Sequence, residues 1–313
     1  MLSRIEKIFA TNPPVAWFLR KSKNWYLPGF EGNSLFDVIR TFYRQVKIQG
    51  MTERASAISY NFIMAIPPSL LSLFTLIPYL PFVSMSSIKL QLHELIYNMI
   101  PARQYNVELI RFVDGFIDNS RIGLLSFSLV LSIFFASSAM MGLMRSFNKN
   151  YVGFSRRKSI VKRWTAIKLT FIVFGLVLTY LLALIMQGAF LEMIVPDSGW
   201  REAISYLRWV FIVGLVYFVI AFIYKYAPAV EKRWKIRSPG TILATFLSLL
   251  ASAGFAAFVN NFGRYNALYG SIGTIMVFMA LIYINSFVLL IGFELNVSIK
   301  TLKSHKDAIQ EKA

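Results

Sequence analysis

Six long apolar stretches divide the chain, near Ser56–Phe82, Ile122–Phe147, Ala166–Val195, Ser205–Tyr226, Thr241–Asn260 and Ile272–Ile299. A helix needs about 20 predominantly apolar residues to cross the hydrocarbon of a bilayer. Backbone polar groups inside lipid must be bonded within the protein, so stretches of this length are predicted to be helices. The expected fold class is an all-α integral membrane protein with six transmembrane helices.

Basic residues fall in every second gap. Arg40, Arg44, Lys47 and Arg54 precede the first stretch; Arg156, Arg157, Lys158, Lys162 and Arg163 follow the second. Lys232, Arg233, Lys235 and Arg237 follow the fourth, and Lys300, Lys303 and Lys306 follow the sixth. In the first gap, Lys89, Arg103, Arg111 and Arg121 are balanced by Glu94, Glu108, Asp114 and Asp118. The positive-inside rule then places both termini and the second and fourth connections in the cytoplasm. Three regions are expected: 1–55, a cytoplasmic and interfacial N-terminal segment; 56–299, the membrane domain; and 300–313, a polar cytoplasmic tail, frayed from Ser304 onward.

Outside the spans, Leu35, Phe36, Ile39, Phe42, Tyr43 and Val46 recur at three- and four-residue spacing. They predict an amphipathic helix over Ser34–Gln49, capped by Ser34 with Asp37 and stopped by Gly50. Such a helix suits the cytoplasmic interface, and packing against the bundle mouth is the equal alternative. Trp17, Trp25 and Tyr26 read as interfacial anchors in an irregular lead-in marked by Pro13, Pro14, Pro28 and Gly29. Two short helices, Leu90–Asn98 and Val107–Ile117, are expected to cap the external side. Met1–Arg20 lacks a continuous apolar core and does not read as a secretory signal, so insertion is expected to use the first span uncleaved.

Four places break the apolar pattern. Pro67-Pro68 in the first span follows Ser56, Ser59, Tyr60 and Asn61; two missing donors predict a kink or break, and a packing kink healed by neighbouring helices is the alternative. Glu294 and Asn296 follow Gly292 in the sixth span. A carboxylate inside an apolar helix costs about 2.5–3.5 kcal/mol unless paired or wet. Tyr60, Asn61, Asn148 and an Arg of the second connection are its candidate partners, and snorkelling to the interface is the alternative. Asn260, Asn261, Gly263, Arg264 and Asn266, followed by Tyr269, Gly270, Ser271 and Gly273, predict a polar external turn. Gln187 and Glu192 lie late in the third span, Gln187 deep enough for an interhelical bond.

Composition changes the picture little. Hydrophobic residues make up 56% and charged ones 15%, which fits a membrane bundle. The net charge of +18 is accounted for by cations beside anionic headgroups, and no basic stripe with interleaved aromatics points to nucleic acid. There is no Cys, hence no disulfide framework and no thiolate metal site. His93 and His305 both lie outside the spans. No phosphate-binding G-x-x-x-x-G-K-[ST] loop, H-E-x-x-H or G-x-S-x-G is present, so no enzyme chemistry, cofactor or metal is expected.

The ordered set of breaks resembles the YihY/BrkB family of bacterial inner-membrane proteins. The matching pieces are Ala57-x-Ser59-Tyr60 leading to Pro67-Pro68, Gly142-x-x-Arg145-x-x-Asn148-x-x-Tyr151, Tyr224-x-x-x-Pro228, Ser238-Pro239-Gly240, Tyr269-Gly270-Ser271 and Gly292-x-Glu294-Leu-Asn296. They cover roughly Thr52–Lys300. A Trp common in the family's last span is replaced within Ala280–Tyr283.

The resemblance implies six helices with both termini cytoplasmic. It delivers no activity: members have carried a tRNA-processing ribonuclease label, formerly ribonuclease BN, and others were linked to serum resistance or to lipid and lipopolysaccharide export. The expected function is transport or translocation of a lipid or other amphiphile in envelope homeostasis, with membrane lipids as partners. Glu294 would be the ionisable switch, Tyr60 and Asn61 headgroup contacts, and Tyr269, Gly270 and Ser271 part of an external gate. Pro67, Pro68, Asn148 and Asn296 complete the candidate set. A non-transporting scaffold for envelope-biogenesis partners is the alternative, and a membrane-bound nuclease the third reading.

Overall fold

The computed structural model describes residues 21–76, 79, 89–90, 93, 107, 110–111, 114–115, 122–148, 154, 157–194, 198–230, 233–261 and 263–310. For 73–74, 180–194, 198–209, 259–261, 263–275 and 308 it describes the backbone alone. Among these residues the protein is all-helical, with seven helices: α1 Leu35–Ile48, α2 Met51–Leu76, α3 Ile122–Phe147, α4 Ser159–Ile194, α5 Ser198–Tyr226, α6 Pro239–Asn261 and α7 Gly263–Gln310. The only extended pairing among them is an isolated bridge between Phe154 and Val230.

Among the described residues, three segments are long and apolar enough to cross a membrane: Ile122–Phe147, Pro239–Phe258 and Met276–Asp307. Val210–Tyr226 is a shorter apolar stretch. Large apolar side chains such as Phe127, Val130, Phe171, Val210, Phe246 and Leu250 are exposed. A surface so rich in exposed apolar side chains suits lipid rather than water.

The amphipathic helix forms as its caps dictate. The Ser34 hydroxyl accepts from the Asp37 N–H at 3.2 Å and donates to Asp37 Oδ2 at 2.8 Å. Gly50, at φ +57°, turns the chain from α1 into α2. One edge of α1 packs on α7, where Val38 is buried with Phe30 and Ile299 beside Leu35, Leu295 and Leu302. Its other apolar edge, Ile39 and Tyr43, stays exposed. The expected packing against the bundle is therefore met by one edge of the helix.

Three expectations are corrected. Pro67-Pro68 does not break the first helix: α2 runs unbroken from Met51 to Leu76. The Ser69 hydroxyl donates to Ala65 O at 2.7 Å, and α3 supports the same stretch through Thr75–Ser128 (2.9 Å) and Ser69–Ser132 (3.4 Å) hydroxyl contacts. Proline holds a helical φ and removes only its own N–H, so a helix packed on a neighbour can pass through such a site without breaking. The polar turn is helix from Gly263 onward, so Asn266, Tyr269, Gly270, Ser271 and Gly273 sit within α7. A helix satisfies its backbone groups internally, which an irregular turn at membrane depth would not. The tail is also helical, to Gln310. Lys300 and Lys303 bond Glu31 at 2.6 and 3.6 Å, and Lys306 donates to Gly32 O at 2.9 Å, tying α7 to the lead-in. The short external helices fall largely outside the described residues; there His93 Nε2 lies 3.0 Å from Asp114 Oδ1.

Helices α2 to α7 pack each against the next, and α7 packs back against α2, closing a ring. Consecutive helices run antiparallel: Thr75 late in α2 meets Ser128 early in α3, while Arg163 early in α4 donates to Ser138 of α3 at 3.0 Å. One end of the ring gathers the starts of α2 and α6 with the later parts of α3, α5 and α7. The core lies there, around Ile58, Leu143, Phe147, Tyr224, Phe293 and Val297.

Candidate functional site

The seam where α7 meets α2 holds a buried ion pair. Met51, Arg54, Ala55 and Ile58 share the buried stripe of α2 at three- and four-residue spacing. Arg54 Nη1 donates to Glu294 Oε1 at 2.5 Å, with the side chains 4% and 0% exposed. Glu294 therefore stays in the interior and does not snorkel. Taking two such charges out of water costs several kcal/mol each, which their mutual contact offsets.

The expected partners of Glu294 lie elsewhere. Tyr60 is exposed and, two residues beyond Ile58, is turned about 200° from it around the helix. Asn61 donates to Ala57 O at 2.6 Å and fills the space over Gly142 of α3, where an added Cβ would meet its amide nitrogen at 2.7 Å. Asn148 Oδ1 accepts from the Ala229 N–H at 2.8 Å. Arg157 and Arg163 are engaged at other sites: Arg163 on α3, and Arg157 on the end of α5. Pro67 is exposed and Pro68 half-buried, more than about three turns along α2 from Arg54. Tyr269, Gly270 and Ser271 lie in the first turns of α7, remote in sequence from Glu294 on the same helix. Gln187 and Glu192 lie in α4, where the backbone alone is described.

Asn296 sits one half-turn past Glu294 and holds α6. Its Oδ1 accepts from Gly240 N at 2.9 Å and its Nδ2 donates to Ser238 Oγ at 2.9 Å. The first turn of α6 leaves N–H groups without helical partners, and Asn296 satisfies one of them. Ser298 Oγ donates to Glu294 O at 2.8 Å, and Tyr224 OH of α5 to Leu289 O at 2.6 Å.

Beside Glu294, Phe293 lies under an aromatic cage. It stacks on Phe147 at 4.1 Å between centroids and meets Trp234, Phe154 and Tyr224 at 5.4, 6.3 and 6.4 Å. This cage closes the end of the ring over the charged pair. Two connections form its floor, joined by the Phe154–Val230 bridge and by Asn148. Arg157 completes the join, donating to the carbonyls of Tyr226, Ala227 and Pro228 at 3.3, 3.2 and 2.8 Å. Those are orphan carbonyls at and past the end of α5. Burial first, and Arg233 second, lower the Arg157 pKa from its ordinary value.

Arg54, Arg157 and Phe293 are the residues that sequence reasoning missed. Arg54 carried a signal: extended one turn back from Ser56, the apolar stripe of α2 places it on the buried face. Phe293 and Arg157 carried none beyond their types.

A lipid-compatible helical ring with a charged pair buried at one end defines a membrane protein. The chain belongs to the family described as virulence factor BrkB, whose model matches residues 42–313, as the ordered motifs indicated. It is similar to the ribonuclease-like protein YfkH of Bacillus subtilis, 28% identical across 85% of this chain and 96% of that one. A UPF0761 membrane protein of Tolumonas auensis is 25% identical, covering 85% and 88% of the two chains. One of Coxiella burnetii is 24% identical, covering 80% and 88%. No solved structure matches. Among the described residues, no three His, Cys, Asp or Glu side chains gather as a metal site would require.

Proposed function

We propose that this protein is a multi-pass protein of the bacterial inner membrane that moves a lipid or other amphiphile across or out of the bilayer, without catalysis. Helices α2 to α7 are the six spans. Both termini and the basic connections face the cytoplasm, by the distribution of Lys and Arg. The carrying observation is the Arg54–Glu294 pair at the seam that closes the ring. An ionisable pair is costly in a bundle that needs only to stand in a membrane, and intramembrane charges mark pathways and switches. Breaking this pair opens the seam between the first and last spans at the cytoplasmic end, a lateral entry for an amphiphile. Tyr60, exposed on α2, contacts headgroups; Tyr269, Gly270 and Ser271, near the other end of α7, form part of the external gate.

The test is reconstitution of the purified protein in liposomes with a fluorescently labelled phospholipid, beside Glu294→Gln and Arg54→Met/Glu294→Met. Faster transbilayer movement with the native chain, lost in both variants while both stay folded, is the expected result. No movement from the folded native protein would remove the lipid reading.

One observation favours a second reading, a membrane scaffold for envelope-biogenesis partners. The two basic connections lock into one platform through Asn148 and Arg157, leaving Lys158, Arg233, Lys235 and Arg237 exposed. A scaffold predicts stable co-purifying proteins that are lost on Lys235→Glu/Arg237→Glu and retained on Glu294→Gln.

A further inference from the structure

We propose that the cleft between the lead-in segment, α1 and the last turns of α7 binds the anionic headgroup of a cytoplasmic-leaflet phospholipid. It goes beyond the transport reading, resting only on the cytoplasmic placement of this end of the ring.

The cleft encloses about 400 Å³. Three cations line it, Lys23 of the lead-in, Arg40 of α1 and Lys306 of α7, against the single carboxylate of Asp37. Asp37 is already engaged, accepting from Ser34 Oγ at the start of α1. None of the three cations is in an ion pair among the described residues. Lys300 and Lys303, about two turns and one turn nearer the membrane, by contrast share the Glu31 carboxylate. The free charges are also held in place. Lys306 Nζ is fixed on Gly32 O at 2.9 Å, and Lys23 Nζ stands 5.3 Å from the Phe36 ring centroid. The cleft thus offers fixed positive charge, which is what a phosphodiester recognises.

The apolar surroundings make that phosphodiester a lipid's. Trp25, Tyr26 and Leu27 on the lead-in and Ile39 and Tyr43 on α1 are exposed around the cleft. A soluble anion would leave these side chains in water, whereas a headgroup brings an interface that covers aromatic and aliphatic anchors. The level is right as well. A Cβ on Gly29 would lie 2.9 Å from the ring of Pro239, the first residue of α6, so the lead-in lies where the membrane helices end.

The experiment is native mass spectrometry of the full-length protein in detergent, titrated with phosphatidylglycerol and phosphatidylcholine. Each basic side chain at an anionic surface is worth about 1 kcal/mol, or about fivefold in affinity. Lys23→Gln/Arg40→Gln/Lys306→Gln is therefore expected to weaken phosphatidylglycerol binding about a hundredfold, and Arg40→Gln alone about fivefold. Phosphatidylcholine binding should not change in either variant, and melting temperature should not change in Arg40→Gln, whose side chain is exposed. The triple variant also gives up the Lys306 bond to Gly32 O, so its unchanged phosphatidylcholine binding is the folding control. Lys158→Gln/Lys235→Gln/Arg237→Gln removes as many exposed charges elsewhere and is expected to leave binding within about twofold. Equal losses in the two triple variants would mean diffuse attraction and overturn the site. Displacement of phosphatidylglycerol by comparable concentrations of glycerol phosphate would mean a soluble anion and overturn the lipid assignment. Because the readout is binding, a negative liposome transport result leaves it intact, and the reverse holds too.

Discussion

Gly240 of α6 and Gly292 of α7 cross with their backbones in contact: a Cβ on either would overlap the other's carbonyl oxygen. A Cβ on Gly292 would also meet Ala244 Cβ and Tyr224 OH at 2.6 Å. Small residues let membrane helices approach this closely, and the closeness lets Asn296 reach the first turn of α6. Gly292→Ala or Gly240→Ala should cost about 3 kcal/mol, since backbone cannot give way as a flexible side chain can. Thermal unfolding in detergent checks this. Gly175→Ala and Gly214→Ala, with nothing within 4 Å, should instead be neutral or gain up to about 1 kcal/mol from helix propensity.

The Arg54–Glu294 pair should behave as a unit. Arg54→Met leaves a buried carboxylate opposite an apolar side chain and should destabilise by about 3–5 kcal/mol. Arg54→Met/Glu294→Met removes both charges and should recover most of that loss. A double-mutant cycle on melting temperature measures the coupling. Additive losses would show the two side chains to be independent.

Asn296 is expected to matter for stability whatever passes through the bundle. Asn296→Ala removes both bonds to α6 and leaves Gly240 N–H buried without that acceptor, at a cost of about 2 kcal/mol. Hydrogen exchange should quicken at Gly240 and Thr241, with residues 122–148 unchanged.

Arg157 reaches three carbonyls with a planar fork that a lysine ammonium lacks. Arg157→Lys should therefore loosen the connection after α5 despite keeping the charge. The readout is faster exchange over Ala227–Val230, and Arg157→Gln should look much the same. Full protection in the lysine variant would show that charge alone holds the connection.

Local pattern made much of the helical content legible. The stretch Ile122–Phe147 is α3 end for end, because a predominantly apolar run of 26 residues without Pro leaves the backbone no better way to bond itself in lipid. Ser34, Asp37 and Gly50 bounded α1 because capping is decided within a few residues. Where the reading failed, a local signal was overruled. Two prolines read as a kink or break, yet α2 runs unbroken through them. Asparagines and glycines read as a turn, yet Gly263–Gly273 continues as helix. The tail read as frayed, yet Glu31 and Gly32 of the lead-in hold it.

By itself the sequence determined that this is a membrane-type helical protein of the BrkB family, and that Glu294 is an anomaly demanding a partner. Those conclusions rest on hydropathy, spacing and motif order, which are written along the chain. Only the tertiary structure decided that the partner is Arg54, that Asn148 and Arg157 clasp the connection after α5, and that α2 and α7 close a ring. Arg54 and Glu294 lie 240 residues apart, and no local periodicity encodes which of thirty-three cations a buried carboxylate will meet. Packing chooses it, because a buried charge is tolerable only where the fold brings its counter-charge within bonding distance.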